Sequence, residues 1–146
     1  MTVKAITDIG TTLNAAKIVG DTLPTSGFKK LVGIRSTPAK GEAPEELDAT
    51  EMHDTKNVGV PGRTSVPALE YTFNWTKENV AGILDYEGER ACFLEVSADG
   101  TGHLITGVLN FWQNDTSLNS VVEGTINIVA EDIKYLEETA SYLASA

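Results

Sequence analysis

Ala68-Leu-Glu-Tyr-Thr-Phe-Asn-Trp75 decides the fold class. Taken two residues at a time, it divides into Leu69, Tyr71, Phe73 and Trp75 on one side and Ala68, Glu70, Thr72 and Asn74 on the other. Successive side chains of a strand point to opposite faces, so this pattern predicts a strand with one buried face and one wet or partner-facing face. Aromatic and β-branched residues suit such a pleated surface. Val66-Pro67 leads into the strand and Thr76 leads out of it.

Downstream, the spacing predicts a helix over residues 76–86. Thr76 fits an N-cap, Glu78 sits in the favourable first turn, and Val80, Ile83 and Leu84 form an apolar stripe. Gly82 weakens this helix and Gly88 ends it. Three strands follow, over residues 91–97, 103–113 and 121–131. In the first, Cys92, Leu94 and Val96 fall on one side and Phe93 and Glu95 on the other. Asp99-Gly-Thr-Gly102 is a hairpin signal, and Gly107 fits a bulge in the second strand. In the third, Val122, Gly124, Ile126, Ile128 and Ala130 alternate with Val121, Glu123, Thr125, Asn127 and Val129. Ile133, Leu136, Ala140 and Leu143 recur at helical spacing, so the 132–146 tail reads as a short amphipathic helix or an extended segment.

Upstream, residues 1–28 are punctuated by Gly10, Gly20, Pro24 and Gly27 and read as an N-terminal arm or a partly disordered terminus. Leu13, Ala16 and Ile18 fit a short strand or a helical turn equally. Residues 29–34 predict a strand. The stretch from 35 to 65 then holds Pro38, Gly41, Pro44, Gly59, Pro61 and Gly62 and reads as a long loop with little structure of its own, apart from a short strand over 47–52. Connections this long inside one domain are functional or disordered. Six acids crowd it between Lys40 and Lys56: Glu42, Glu45, Glu46, Asp48, Glu51 and Asp54. Together these elements predict a single domain over 1–146 of mainly β class, an antiparallel β-sandwich or half-barrel of five or six strands with one flanking α-helix and a long inter-strand loop.

The chemistry of single residues points away from catalysis. The chain carries 146 residues, 41% hydrophobic and 22% charged, enough to bury a real core. Twenty-one acids against 11 bases give a net charge of −10, which argues against a phosphate-binding surface. The single cysteine, Cys92, fits a buried small residue in a strand. His53 and His103 stand apart from any Cys, His or carboxylate cluster, so neither a metal nor another cofactor is expected, and the chain is not expected to be an enzyme. Residues 1–20 show no continuous apolar segment or small-residue cleavage pattern, so no leader is expected; no apolar run approaches the ~20 residues needed to cross a bilayer.

The order of elements, with Lys30-Leu-Val-Gly-Ile34, Ala43-Pro-Glu-Glu-Leu-Asp-Ala-Thr-Glu-Met52, Lys56-Asn-Val-Gly-Val-Pro-Gly-Arg63, the aromatic strand and Phe111-Trp112, resembles the tail tube proteins of long-tailed bacteriophages. The likeness covers residues 29–131. It implies a virion protein that forms hexameric rings, stacked into a hollow tube around a continuous β-barrel, within the virion tail after assembly in the host cytoplasm. It also implies the tape measure protein and the tail terminator as partners, and DNA that passes without specific binding. The loop would reach a neighbouring subunit through Glu42, Glu45, Glu46, Asp48, Glu51, Asp54, Pro61 and Arg63. The polar strand positions Glu70, Thr72, Asn74, Glu95, Glu123, Thr125 and Asn127 are the candidates to line the lumen. They carry acids and amides but no Lys or Arg, as a conduit for phosphates would require. The alternatives are another head–tail or tail terminator protein, and a small soluble β-sandwich binding module.

Overall fold

The computed structural model describes residues 9–41, 43–64 and 66–143. Among them run β1 (Thr12–Lys17), β2 (Lys29–Val32), β3 (Ile34–Ser36), β4 (Glu46–Asp48), β5 (Gly59–Pro61), β6 (Leu69–Asn74), α1 (Lys77–Leu84), β7 (Arg90–Val96), β8 (Gly102–Gln113), β9 (Glu123–Leu136) and the one-turn α2 (Ala140–Leu143). Seven strands form one sheet in the order β2-β1-β7-β8-β9-β6-β3, with every neighbouring pair antiparallel. The fold is therefore mainly β, as the alternation predicts.

The edges of this sheet define its shape. Its edge strands are β2 and β3, and a single residue, Gly33, separates them in the chain. In a flat sheet, six spacings of ~4.8 Å would hold them about 29 Å apart. Two peptide units reach no more than about 7.6 Å. The sheet must curl until these two strand ends meet, which makes it a half-barrel pinned at Gly33.

The concave face holds the main core. Leu69, Tyr71 and Phe73 of β6 lie there fully buried, with Phe93 of β7, Ile105 and Leu109 of β8, and Ile126 and Ile128 of β9. Helix α1 packs Ile83 and Val80 against them. Its start is fixed as expected, with the Thr76 hydroxyl accepting from the Asn79 N–H at 3.3 Å. Leu84, expected in the same stripe, is exposed, because it ends the helix one residue round from the buried Ile83 and turns away from the core. Trp75 stays half-buried, stacked on Phe73 with ring centroids 5.8 Å apart, and 5.7 Å from Phe111. Gly124 faces these rings. A Cβ there would lie 2.6 Å from both Phe73 and Trp75, so the missing side chain is what admits them.

Three expectations change. Of the expected arm over 1–28, residues 1–8 lie outside the described residues; in the rest the strand alternative around Leu13 and Ala16 holds, and β1 lies inside the sheet between β2 and β7. Strand β9 does not end near 131 but continues to Leu136. The pairing of β8 with β9 slips at Thr106/Gly107, where a Cβ on Gly107 would meet the Val129 carbonyl oxygen at 2.3 Å. This bulge, expected at Gly107, re-phases the strand, so Ile133 and Leu136 belong to strand rather than helix and only residues 140–143 make a helical turn. Finally, the 35–65 stretch is not bare loop: β4 and β5 pair as an antiparallel hairpin.

Candidate assembly surface

Six of the seven polar candidates gather on one surface. The β6–β9 register places Glu70 opposite Asn127, Thr72 opposite Thr125, and Asn74 opposite Glu123. All six therefore share the convex face of these two strands. β8 extends that face with Asn110 opposite Asn127 and exposed Trp112 opposite Thr125. Exposed Val129 continues it. Thr72 bonds Ser36 of β3 between hydroxyl oxygens at 2.6 Å, and the Thr125 hydroxyl donates to Asn114 Oδ1 at 2.7 Å.

The rest of the convex face is covered. Ala16, Cys92, Leu94, Val96 and Leu136 form a second core there under Phe28, whose ring meets Tyr142 of α2 edge-on at 5.9 Å. Cys92 is buried in that core, as expected, and burial pushes its thiol up. One sheet face is thus capped along β1 and β7 and open along β6, β9 and the end of β8, although Thr125 there is itself buried at 7% exposure.

The bare face is not free of cations, against expectation. Arg35 of β3 reaches it and pairs with Glu123. At its margin Arg90 Nε donates to both carboxylate oxygens of Glu131, at 2.9 and 3.0 Å, which holds Glu131 below the usual carboxylate range. Each arginine is matched by an acid, so neither offers an unbalanced positive charge.

Glu95 does not belong with the other six. The register runs Ala91, Phe93 and Glu95 against Gly107, Ile105 and His103 on the concave side, and Glu95 is only 3% exposed. Its alternation with Phe93 was legible, but Phe93 faces the core, so Glu95 does too. It is paired there with Lys40, Nζ to Oε2 at 2.5 Å.

The loop candidates sit on the hairpin. Glu46 pairs with Pro61, Leu47 with Val60, and Asp48 with Gly59. Ala49 N–H to Val58 O at 2.8 Å and Glu45 N–H to Arg63 O at 3.1 Å lengthen the ladder at both ends. Thr50, through its side chain first and then its N–H, which donates to Asp48 Oδ1 at 2.9 Å, lowers the Asp48 carboxyl. The Glu51 N–H donates to Asp54 at 2.8 Å and closes the tip. The short strand expected over 47–52 forms at Glu46–Asp48, while its partner Gly59–Pro61, built on Gly and Pro, gives no strand signal and reads as loop. The hairpin is two-sided. Glu46 and Asp48 lie on one face; Leu47, Ala49, Val58 and Val60 lie on the other, where Leu47, Val58 and Val60 are exposed. Neither hairpin strand shares a ladder with the barrel. Glu42 lies outside the described residues.

Among the described residues no group of three or more His, Cys, Asp or Glu could hold a metal ion. An open hollow of about 360 Å³ lies between the 97–100 turn and residues 137–143, lined by Ser97, Asp99, Glu137, Glu138 and Thr139 among others.

No protein-family model and no curated protein sequence matches the chain. Its fold does match a solved one. A chain of the anti-feeding prophage baseplate, determined by cryo-electron microscopy with six-fold symmetry applied, superposes with a TM-score of 0.66 at 12% identity, over 93% of this chain and 97% of that one. The shared fold runs nearly end to end in both.

Proposed function

We infer that the chain is a structural protein of a phage-type tail that assembles with itself into hexameric rings, which stack into the tail tube and conduct DNA. The observation that carries this reading is the end-to-end likeness of fold to a subunit of a six-fold symmetrised baseplate. Two features of the chain support it. The bare convex face of β6, β9 and β8 is polar and its cations are matched by acids, which suits a wall along which phosphates slide. The hairpin holds an apolar face away from its own barrel, which suits a contact with a neighbouring subunit. In this role the protein works in the virion tail, assembles in the host cytoplasm, and meets the tape measure protein inside the tube and a terminator at its end. It performs no catalysis, and DNA passes without specific contacts.

A second reading places the chain in a single ring at the baseplate end of a tube, because the matched structure is a baseplate. Electron microscopy and sedimentation of the purified protein separate the two. Stacked tubes of six-fold rings support the tube reading, and rings that never stack support the baseplate reading. A monomer at every concentration and salt tested overturns both in favour of a small binding module.

A further inference from the structure

Glu95 is an expensive residue where it stands. It faces a core of Leu, Ile and Phe, with Leu13 of β1 on one side and His103 of β8 on the other. Removing a carboxylate from water is costly unless a partner compensates. The compensation is Lys40, whose side chain is itself only 18% exposed. Lys40 does not belong to the barrel. It lies midway along the strut between Ser36, where β3 ends, and Glu46, where the hairpin begins.

The surroundings make the pair specific. Burial and then the Glu95 charge push the Tyr71 phenol up, so its hydroxyl stays protonated beside the carboxylate. Burial and then Lys40 push the His103 imidazole down toward its neutral form, against a smaller opposing pull from Glu95. Among the described residues the Tyr71 hydroxyl, Glu95 Oε1 and His103 Nδ1 are buried and lack a well-aligned hydrogen bond, although Tyr71 and Glu95 interact, so this corner of the core is polar. Lys40 is the cation that balances it. On the next element, Tyr135 of β9 meets the His103 ring edge-on at 5.5 Å and adds no charge.

The geometry points to a clasp: Lys40 and Glu95 fix the strut and so set the angle at which the β4–β5 hairpin leaves the barrel. A buried ion pair is a poor source of stability, since apolar residues of similar volume often do as well or better. It is a good source of geometry, because a lysine must reach one buried carboxylate to be satisfied. The hairpin needs such a device, as it shares no ladder with the seven-stranded sheet. This is a property of the single chain and stands or falls independently of tube assembly.

Spin labels at Met52→Cys on the hairpin and Glu78→Cys on α1 report the angle as a distance distribution, measured with the labelled chain diluted in unlabelled protein. Both sites are exposed, while Cys92 is fully buried and stays unlabelled. The parent protein gives one narrow distribution. Lys40→Met alone lowers the unfolding midpoint, because Glu95 is left unpaired. Lys40→Met with Glu95→Leu recovers that midpoint but loses the narrow distribution. If the double variant does not fold, Lys40→Met with Glu95→Gln, which keeps a polar side chain of the same size in the pocket, is measured instead. A narrow distribution in the folded double variant overturns the clasp, since something else then holds the strut. A double variant that recovers no stability over Lys40→Met also overturns it, since the pair is then a stability element.

Discussion

Replacing Leu47 and Val60 together by serine should raise the concentration needed for assembly while leaving the fold intact. The two side chains face each other across the hairpin and remain 47% and 42% exposed, so the barrel gains little from them. Fully burying a Leu or Val is worth about 1.5–3 kcal/mol. With roughly half of each still exposed, about 1 kcal/mol per residue is left for a partner to collect, or ~2 kcal/mol per hairpin. At 1.4 kcal/mol per tenfold, that is a roughly 30-fold weaker contact. A ring closes only when every contact forms, so the loss compounds around it. Sedimentation velocity across a concentration series would read the threshold for assembly, and thermal unfolding of the unassembled chain would read the fold. The threshold should rise by more than tenfold, with an unfolding midpoint close to that of the parent. Assembly at an unchanged threshold would refute the reasoning, since the apolar hairpin face would then touch nothing. A large fall in the unfolding midpoint would refute it differently, by showing that the barrel already uses that face.

Phe73→Ala removes a fully buried ring that stacks on Trp75, and should cost ~3–5 kcal/mol in denaturant unfolding; a loss under about 1 kcal/mol would mean the face is reversed. Glu70→Lys puts a cation on the exposed polar face, so assembled tubes should gain DNA binding in a filter assay that fades as salt rises, whereas no gain at low salt would remove this face from the channel. The His103 imidazole is held below its ordinary value of about 6.5 in the fold, so the unfolded chain binds the proton more readily; stability should fall as pH drops through about 6.5, be flat above it, and lose that slope in His103→Gln. Glu131 and Asp48 are held low instead, so the stability they contribute should persist at neutral pH and disappear only on acidification through the carboxylate range, which unfolding midpoints below about pH 4.5 would reveal.

Strands with one wet face announced themselves, and strands without one did not. β6 alternates buried and less buried residues along its length, and its sequence shows it. β1 and β7 lie between the concave core and the second core, so Leu13, Asn14, Ala15 and Ala16 are all buried in sequence, as are residues 91–96. With both faces covered there is no period of two in burial to read, which is why the sequence of β1 reads as part of an arm. β9 was cut short for another reason. The bulge shifts its phase, so the alternation before Ala130 and the apolar residues after it do not join into one pattern. The site divides the same way. Alternation placed Glu70, Thr72 and Asn74 on one face of β6, and register brought Glu123, Thr125 and Asn127 beside them. Nothing local in sequence could bring Arg35 to Glu123 or Lys40 to Glu95, because the first pair spans β6 between two strands distant in the chain and the second joins the strut after β3 to β7.

The hairpin's two faces also fix its orientation in any assembly. A two-stranded hairpin with strands of three residues is marginal by itself, and local caps at Asp48 and Asp54 stabilise its tip without covering its apolar side. That side gains only by meeting another surface. Glu46 and Asp48 point the opposite way, and burying them unpaired would cost more than Leu47 and Val60 return. The hairpin therefore favours lying with its apolar face down on a partner and its acids toward solvent or toward a basic surface. A flipped hairpin or one inserted between two apolar walls is disfavoured by the same charges. A chain that carries its adhesive surface on a mobile strut would form contacts at many angles. One that clamps the strut through Lys40 and Glu95 would repeat a single angle, and a repeated angle is what lets identical subunits close a ring.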